Sequence, residues 1–120
     1  MDKTTLVFGA SLKPNRYSNY AIQRLVANKI NVVAYGKREG VVNGIKVNTE
    51  LVPYDTIHTV TLYLNPRRQS AYYDYIISLN PQRVIFNPGT ENPEFYALLS
   101  AHHIPFEASC TLVLLATNQY

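Results

Sequence analysis

Only one cysteine, Cys110, is present, which excludes an internal disulfide framework. No apolar run approaches the ~20 residues that a membrane-spanning helix needs. The opening Met1-Asp2-Lys3 leads toward a strand-like segment without the basic-then-apolar pattern of a leader. A cytoplasmic protein with no membrane partner is the expectation. The chain also lacks a strong charge of one sign. Its net charge is +3, and the eleven Lys and Arg residues form no long run. The densest pairs are Lys37-Arg38 and Arg67-Arg68. Such a diffuse excess speaks against nucleic acid and suits a small anionic ligand met by a few placed cations. Metal-ligand spacing is missing. So is any grouping of nucleophile, base and orienting partner. His58 opens a strand-like run, His102 and His103 close a helix-like one, and a lone cysteine is more often structural than reactive.

What is present is a regular alternation. The 120 residues, 47% of them hydrophobic, suit one globular domain over 1–120. Strand patterns cover Thr4–Phe8, Asn31–Tyr35, His58–Leu64, Arg83–Phe86 and Pro105–Ala108. Helical patterns cover Ser18–Asn28, with Ser18 as cap, Pro66–Leu79 and Pro93–His102. Short apolar strands separated by helices predict an α/β, three-layer, doubly wound and mostly parallel sheet. About five strands are expected, in the order 3-2-1-4-5 or a close variant, where strand 3 is a short strand within Gly36–Asp55 and His58–Leu64 and Arg83–Phe86 are strands 4 and 5. The stretch from Gly36 to Asp55 is ambiguous. Asn43-Gly44 between β-formers signals a hairpin, and an irregular crossover with a short third strand is the alternative. The apolar run Thr111–Ala116 reads either as a last helix docked on the sheet or as part of a subunit contact. Ten tyrosines, three of them at Tyr72, Tyr73 and Tyr75, suggest half-buried rings or a protein contact, with a homo-oligomer or another protein as partner.

The first strand ends in Gly9-Ala10-Ser11, and Lys13, Arg16 and Ser18 follow before the helix. Glycine permits a sharp turn and close backbone approach to a ligand. A helix N-terminus and basic side chains then favour phosphate. After the second strand, a dinucleotide site normally places an acid to hold the ribose. Here Tyr35-Gly36-Lys37-Arg38 stands instead, with Glu39 only afterwards, which favours an extra ribose phosphate as in CoA or NADP. Two further strand ends carry Asn65-Pro66 and Asn87-Pro88-Gly89. Asn65 and Asn87 are candidate partners for a ligand amide, and Gly89 is a candidate point of close approach. Turn chemistry explains the same residues equally well.

On Gly9-Ala10-Ser11, Lys13-Pro14, Arg16 and Ser18 together, the chain resembles the small single-domain CoA-binding proteins. Their Rossmann-like fold is similar to the CoA-binding domain of the succinyl-CoA synthetase alpha subunit. Tyr35-Gly36-Lys37, Asn65-Pro66, Asn87-Pro88-Gly89 and Cys110 support the likeness, which runs over almost the whole length. The resemblance implies a first loop that cradles the CoA pyrophosphate, and it implies no catalytic residue. Three positions depart from the family pattern. Ala34-Tyr35-Gly36-Lys37 replaces a Pro-Val-Asn-Pro-like stretch, Asn65 replaces an arginine, and Thr111-Leu112 replaces Pro-Lys after the cysteine. The leading expectation is a non-catalytic binder of CoA or acyl-CoA. An NAD(P)(H)-binding regulatory domain and a small acyl-CoA-using enzyme are the alternatives.

Overall fold

In the first strand Leu6 and Phe8 point to one face of a sheet, while Val7 points to the other. All three are fully buried, because helices cover both faces. The computed structural model describes residues 3–120. Its elements run β1 (Thr5–Ala10), α1 (Tyr17–Ala27), β2 (Val32–Gly36), β3 (Gly40–Val42), β4 (Ile45–Asn48), β5 (Thr59–Leu62), α2 (Pro66–Gln69), a 3-10 turn (Ser70–Tyr72), α3 (Tyr73–Ser78), β6 (Arg83–Phe86), α4 (Pro93–Ala101), β7 (Phe106–Ala108) and α5 (Thr111–Ala116).

The sheet has seven strands in the order β3-β4-β2-β1-β5-β6-β7. Every pairing is parallel except β3 with β4. The fold is thus the expected doubly wound α/β sandwich, with more strands than the five anticipated. The ambiguous stretch holds both features weighed for it. Asn43 and Gly44 both adopt positive φ, 50° and 84°, as a two-residue I′ hairpin requires. The returning strand β4 then pairs in parallel with β2.

One core lies under α3 and α4, built on Phe8, Leu62, Ile76, Phe86, Phe95 and Leu99. The other lies under α1 and α5, built on Val7, Ile22, Leu25, Ala34, Val47 and Leu115. Thr111–Ala116 is therefore a helix docked beside α1. Two expectations need correction. The helix placed over Pro66–Leu79 is two short helices joined by the 3-10 turn. Tyr72, at φ −118° and ψ 2°, leaves the helical region there. Ser18 does not cap α1. Arg16 occupies the cap position without a side-chain cap bond, and Ser18 lies buried inside the first turn.

The helices end in a shared way. After α1, α4 and α5 the residues Lys29, His103 and Asn118 turn left-handed. The following amides of Ile30, Ile104 and Gln119 bond back to Leu25, Leu99 and Leu114. This is the Schellman arrangement, made here without glycine.

Candidate functional site

The parallel strands β2, β1, β5 and β6 bring their carboxyl ends to one edge, where ligands collect in open α/β sheets. The centre of that edge is shaped by glycine. Gly9 adopts φ +98°, and a Cβ there would lie 3.1 Å from the backbone of Tyr63 and Leu64. The pairing of β1 with β2 slips at this point, so that Ala10 faces Gly36. A Cβ on Gly36 would meet the Ala10 carbonyl oxygen at 2.3 Å. These two glycines let the end of β1 pack tightly between its neighbours. Leu12 then folds over Gly40 of the edge hairpin.

The loop from Ser11 to Ser18 is closed by its own polar groups. The Ser11 amide donates to Ser18 Oγ at 3.1 Å, and the Lys13 amide donates to Ser11 Oγ at 3.2 Å. Asn19 Nδ2 donates to the Ser11 carbonyl at 3.0 Å and is itself held by Gln23 Nε2. The Ser11 amide is therefore engaged. Among the described residues the amides of Tyr17 and Ser18, in the first turn of α1, have no protein acceptor. Lys13 and Arg16 stand exposed beside that turn. At the end of β2, Lys37 and Arg38 are also exposed. Arg83–Glu107 is the sole ion pair among the described residues, so all four of these cations lack a carboxylate partner.

The remaining sites separate into two kinds. Asn65 is exposed at the start of α2, and its side chain makes no cap bond. Gly89, at φ +94°, lies in an open loop beyond β6, and its amide donates to Glu91 Oε1. That loop is three strands from Gly36, roughly 14 Å at ~4.8 Å per strand. Asn87 and Tyr35, in contrast, turn into the protein. Asn87 is 2% exposed. Its amide donates to Thr61 Oγ1 and the Leu62 carbonyl, and its oxygen accepts from the Thr111 amide. It ties β5, β6 and α5 together. The Tyr35 ring stacks on Phe8 at 4.7 Å, and its hydroxyl donates to that of Tyr72. Burial above all, with the bond to Tyr72, pushes the Tyr35 hydroxyl up to about 12.

Several polar residues without a sequence motif organise this edge. Gln69 is fully buried and donates to the carbonyls of Leu64 and Thr90. Asn92 donates to Gln69 Oε1 and to the Tyr73 hydroxyl, and it caps α4 by accepting from the Phe95 amide. Tyr63, next to Gly9, carries a buried hydroxyl without a well-formed hydrogen bond, and burial raises it to about 12. Cys110 is half-buried at the start of α5. Because β7 runs parallel to β6, the cysteine also lies at the carboxyl end. Among the described residues no group of His, Cys, Asp and Glu could hold a metal ion. None of the helices described is long and apolar enough to cross a membrane.

A family model described as a CoA binding domain matches residues 3–116. The crystal structure of an uncharacterized protein superposes with a TM-score of 0.96 at 41% identity, covering 100% of this chain and 99% of that one. A Thermus thermophilus protein is similar at TM-score 0.87 and 20% identity, over 99% of this chain and 91% of its own. A hypothetical protein from Pyrococcus horikoshii is similar at TM-score 0.86 and 22% identity, over 98% and 84%. The last two likenesses concern the fold alone. No curated protein matches.

Proposed function

The chain belongs to the CoA-binding domain family, and from that premise we propose that it is a cytoplasmic, non-catalytic binder of CoA or an acyl-CoA. The pyrophosphate lies against the first turn of α1, taking the amides of Tyr17 and Ser18 and the charges of Lys13 and Arg16. Gly9, Ala10 and Ser11 form the floor beneath it. Lys37 and Arg38 meet the ribose phosphate at the end of β2, and Asn65 and Gly89 border the path of the pantetheine arm. Asn87 and Tyr35 act as supports that hold the edge in shape.

The observation that carries this reading is the set of four unpaired cations around one glycine-built strand end. Unpaired, exposed charge costs little in the free protein and becomes charge-assisted hydrogen bonding when a phosphate arrives. Turnover would need an activated nucleophile, and the residue that an enzyme reading would rest on is Cys110, a free and half-buried thiol.

The test is calorimetric titration with CoA and with NADP. Arg16→Ala should weaken CoA binding by about 1–3 kcal/mol, the range for a charge-assisted bond. An unchanged affinity would remove Arg16 from the site. NADP binding tighter than CoA would move the protein to the alternative reading. Acyl-CoA hydrolysis that disappears in Cys110→Ala would make it an enzyme.

A further inference from the structure

The loops after β5 and β6 belong to different strand–helix units, yet one side chain ties them together. Gln69 ends α2 and is fully buried. Its Nε2 donates to the Leu64 carbonyl at 2.9 Å and to the Thr90 carbonyl at 2.8 Å. A single nitrogen thus holds the two carbonyl oxygens within about 6 Å of each other. Leu64 directly precedes Asn65, and Thr90 directly follows Gly89. Each acceptor is therefore the chain neighbour of one of the two exposed residues, Asn65 and Gly89, at the carboxyl edge.

Both ends of this brace are anchored. The Leu64 backbone packs on Gly9, where a Cβ would lie 3.1 Å from the Leu64 amide nitrogen. The Thr90 amide and hydroxyl both donate to the Asn87 carbonyl, at 3.0 and 2.7 Å. Gln69 Oε1 accepts from Asn92 Nδ2 at 2.9 Å, which joins the brace to the cap of α4. Both amide hydrogens and the amide oxygen are used. An apolar side chain could fill the same space without needing any partner. What a fully bonded buried amide adds is one fixed arrangement of the groups it touches.

We propose that Gln69 is a positioning residue that sets the spacing of Asn65 and Gly89 and so presets the passage for the pantetheine arm. The inference rests on the CoA reading above and adds how the path of the arm is held before the ligand arrives. Gln69 is fully enclosed, so it acts through the backbones of Leu64 and Thr90. A passage already held at its bound width spares the ligand the cost of ordering two loops. The nucleotide end does not use the brace, since Lys13 and Arg16 stand between β1 and α1, and Lys37 and Arg38 between β2 and β3.

The experiment compares two ligands by calorimetry. One is CoA. The other is adenosine 3′-phosphate 5′-diphosphate, which keeps the nucleotide and pyrophosphate and lacks the arm. The readout is the ratio of the two affinities. A variant that is merely less folded loses both affinities in proportion and keeps the ratio. Gln69→Met has about the length of glutamine and none of its hydrogen bonds. It should weaken CoA binding roughly tenfold and leave binding of the truncated ligand unchanged. Asn92→Ser keeps a capping oxygen for α4 and releases Gln69 Oε1 and Tyr73. It should shift the ratio in the same direction by less, and it carries the test if Gln69→Met does not fold. An unchanged ratio in Gln69→Met, or in Asn92→Ser where only that variant folds, overturns the assignment and leaves the CoA reading standing. A parent protein that binds both ligands equally also overturns it, because the arm then gains nothing from the passage. A parent that binds neither ligand overturns both readings.

Discussion

The position of a Cβ on Gly36 lies 2.3 Å from the carbonyl oxygen of Ala10. Both partners are backbone, so no side-chain rotation relieves the contact. The close approach of β1 and β2 at the candidate site therefore depends on this one missing methyl group. Gly36→Ala must push the strands apart where the loop to α1 begins, and it should cost upward of about 2 kcal/mol as overpacking. Gly44→Ala is the comparison. It meets open space at φ +84° and should cost only about 1 kcal/mol of backbone strain. Urea denaturation of both variants measures the difference, and equal midpoints would contradict this account.

Asn87 and Asn65 look alike in sequence, each closing a strand and preceding proline. They should behave oppositely. Asn87→Ala strands the Thr111 amide and the Leu62 carbonyl in the interior and should destabilise the fold by about 2–4 kcal/mol. Asn65→Ala, at an exposed position, should leave stability within about 0.5 kcal/mol. Thermal unfolding distinguishes them. A stable Asn87→Ala variant that loses CoA would make Asn87 a ligand contact instead of a support.

Tyrosine ionisation gives the protein an alkaline limit. Burial raises Tyr63, Tyr35 and Tyr75 to about 12, from an ordinary value near 10. In the unfolded chain these hydroxyls lose their protons near pH 10, while the folded chain keeps them. Stability is therefore intact below pH 10 and falls between pH 10 and 12. Tyr63 alone, with its hydroxyl buried, contributes a slope of at most about 1.4 kcal/mol per pH unit. The half-exposed Tyr35 and Tyr75 contribute less. Tyr63→Phe should flatten the loss above pH 10, and at neutral pH it should cost little, since the hydroxyl lacks a good partner. Chemical denaturation at pH 8, 10 and 11 checks both statements. His58 sets the opposite limit. Burial, Lys3 and Arg83 lower it below its ordinary 6.5, so its share of stability is present above pH 6.5 and lost as the pH falls below that value.

Lys37 and Arg38 should make the ribose phosphate count. CoA should bind more tightly than dephospho-CoA at low ionic strength. The gap should shrink in 0.5 M salt, because both side chains are exposed and screened. Lys37→Ala with Arg38→Ala should close it. Equal affinities for the two ligands in the parent protein at low salt would detach this pair from the phosphate.

Local signals carried much of this fold. Asn43-Gly44 marked a hairpin because only a few residues accept positive φ twice in succession. The alternation of Leu6, Val7 and Phe8 between two apolar faces marked a strand covered on both sides. What stayed hidden depends on distant partners. The helix over Pro66–Leu79 reads as continuous by propensity. It breaks near Tyr72 while Gln69 is held inward by the Leu64 and Thr90 carbonyls, the latter from a loop 21 residues away. Ser18 reads as a cap because serine at a helix start usually is one, yet its hydroxyl accepts from Ser11 across the loop. Asn19, Gln69 and Asn92 carry no motif at all. Asn87 carried a turn signal, and only the fold, which brings the Thr111 amide to its side chain, reveals what it bonds.

Both margins of the sheet are three-residue strands, Gly40–Val42 and Phe106–Ala108. The first turns back antiparallel, with Val41 68% exposed. A foreign strand that tried to extend either side would find too few free amides and carbonyls to hold it, and short borders of this kind guard against fibril growth. The Asn43-Gly44 hairpin thus closes one side of the sheet with a border too short to template a further strand.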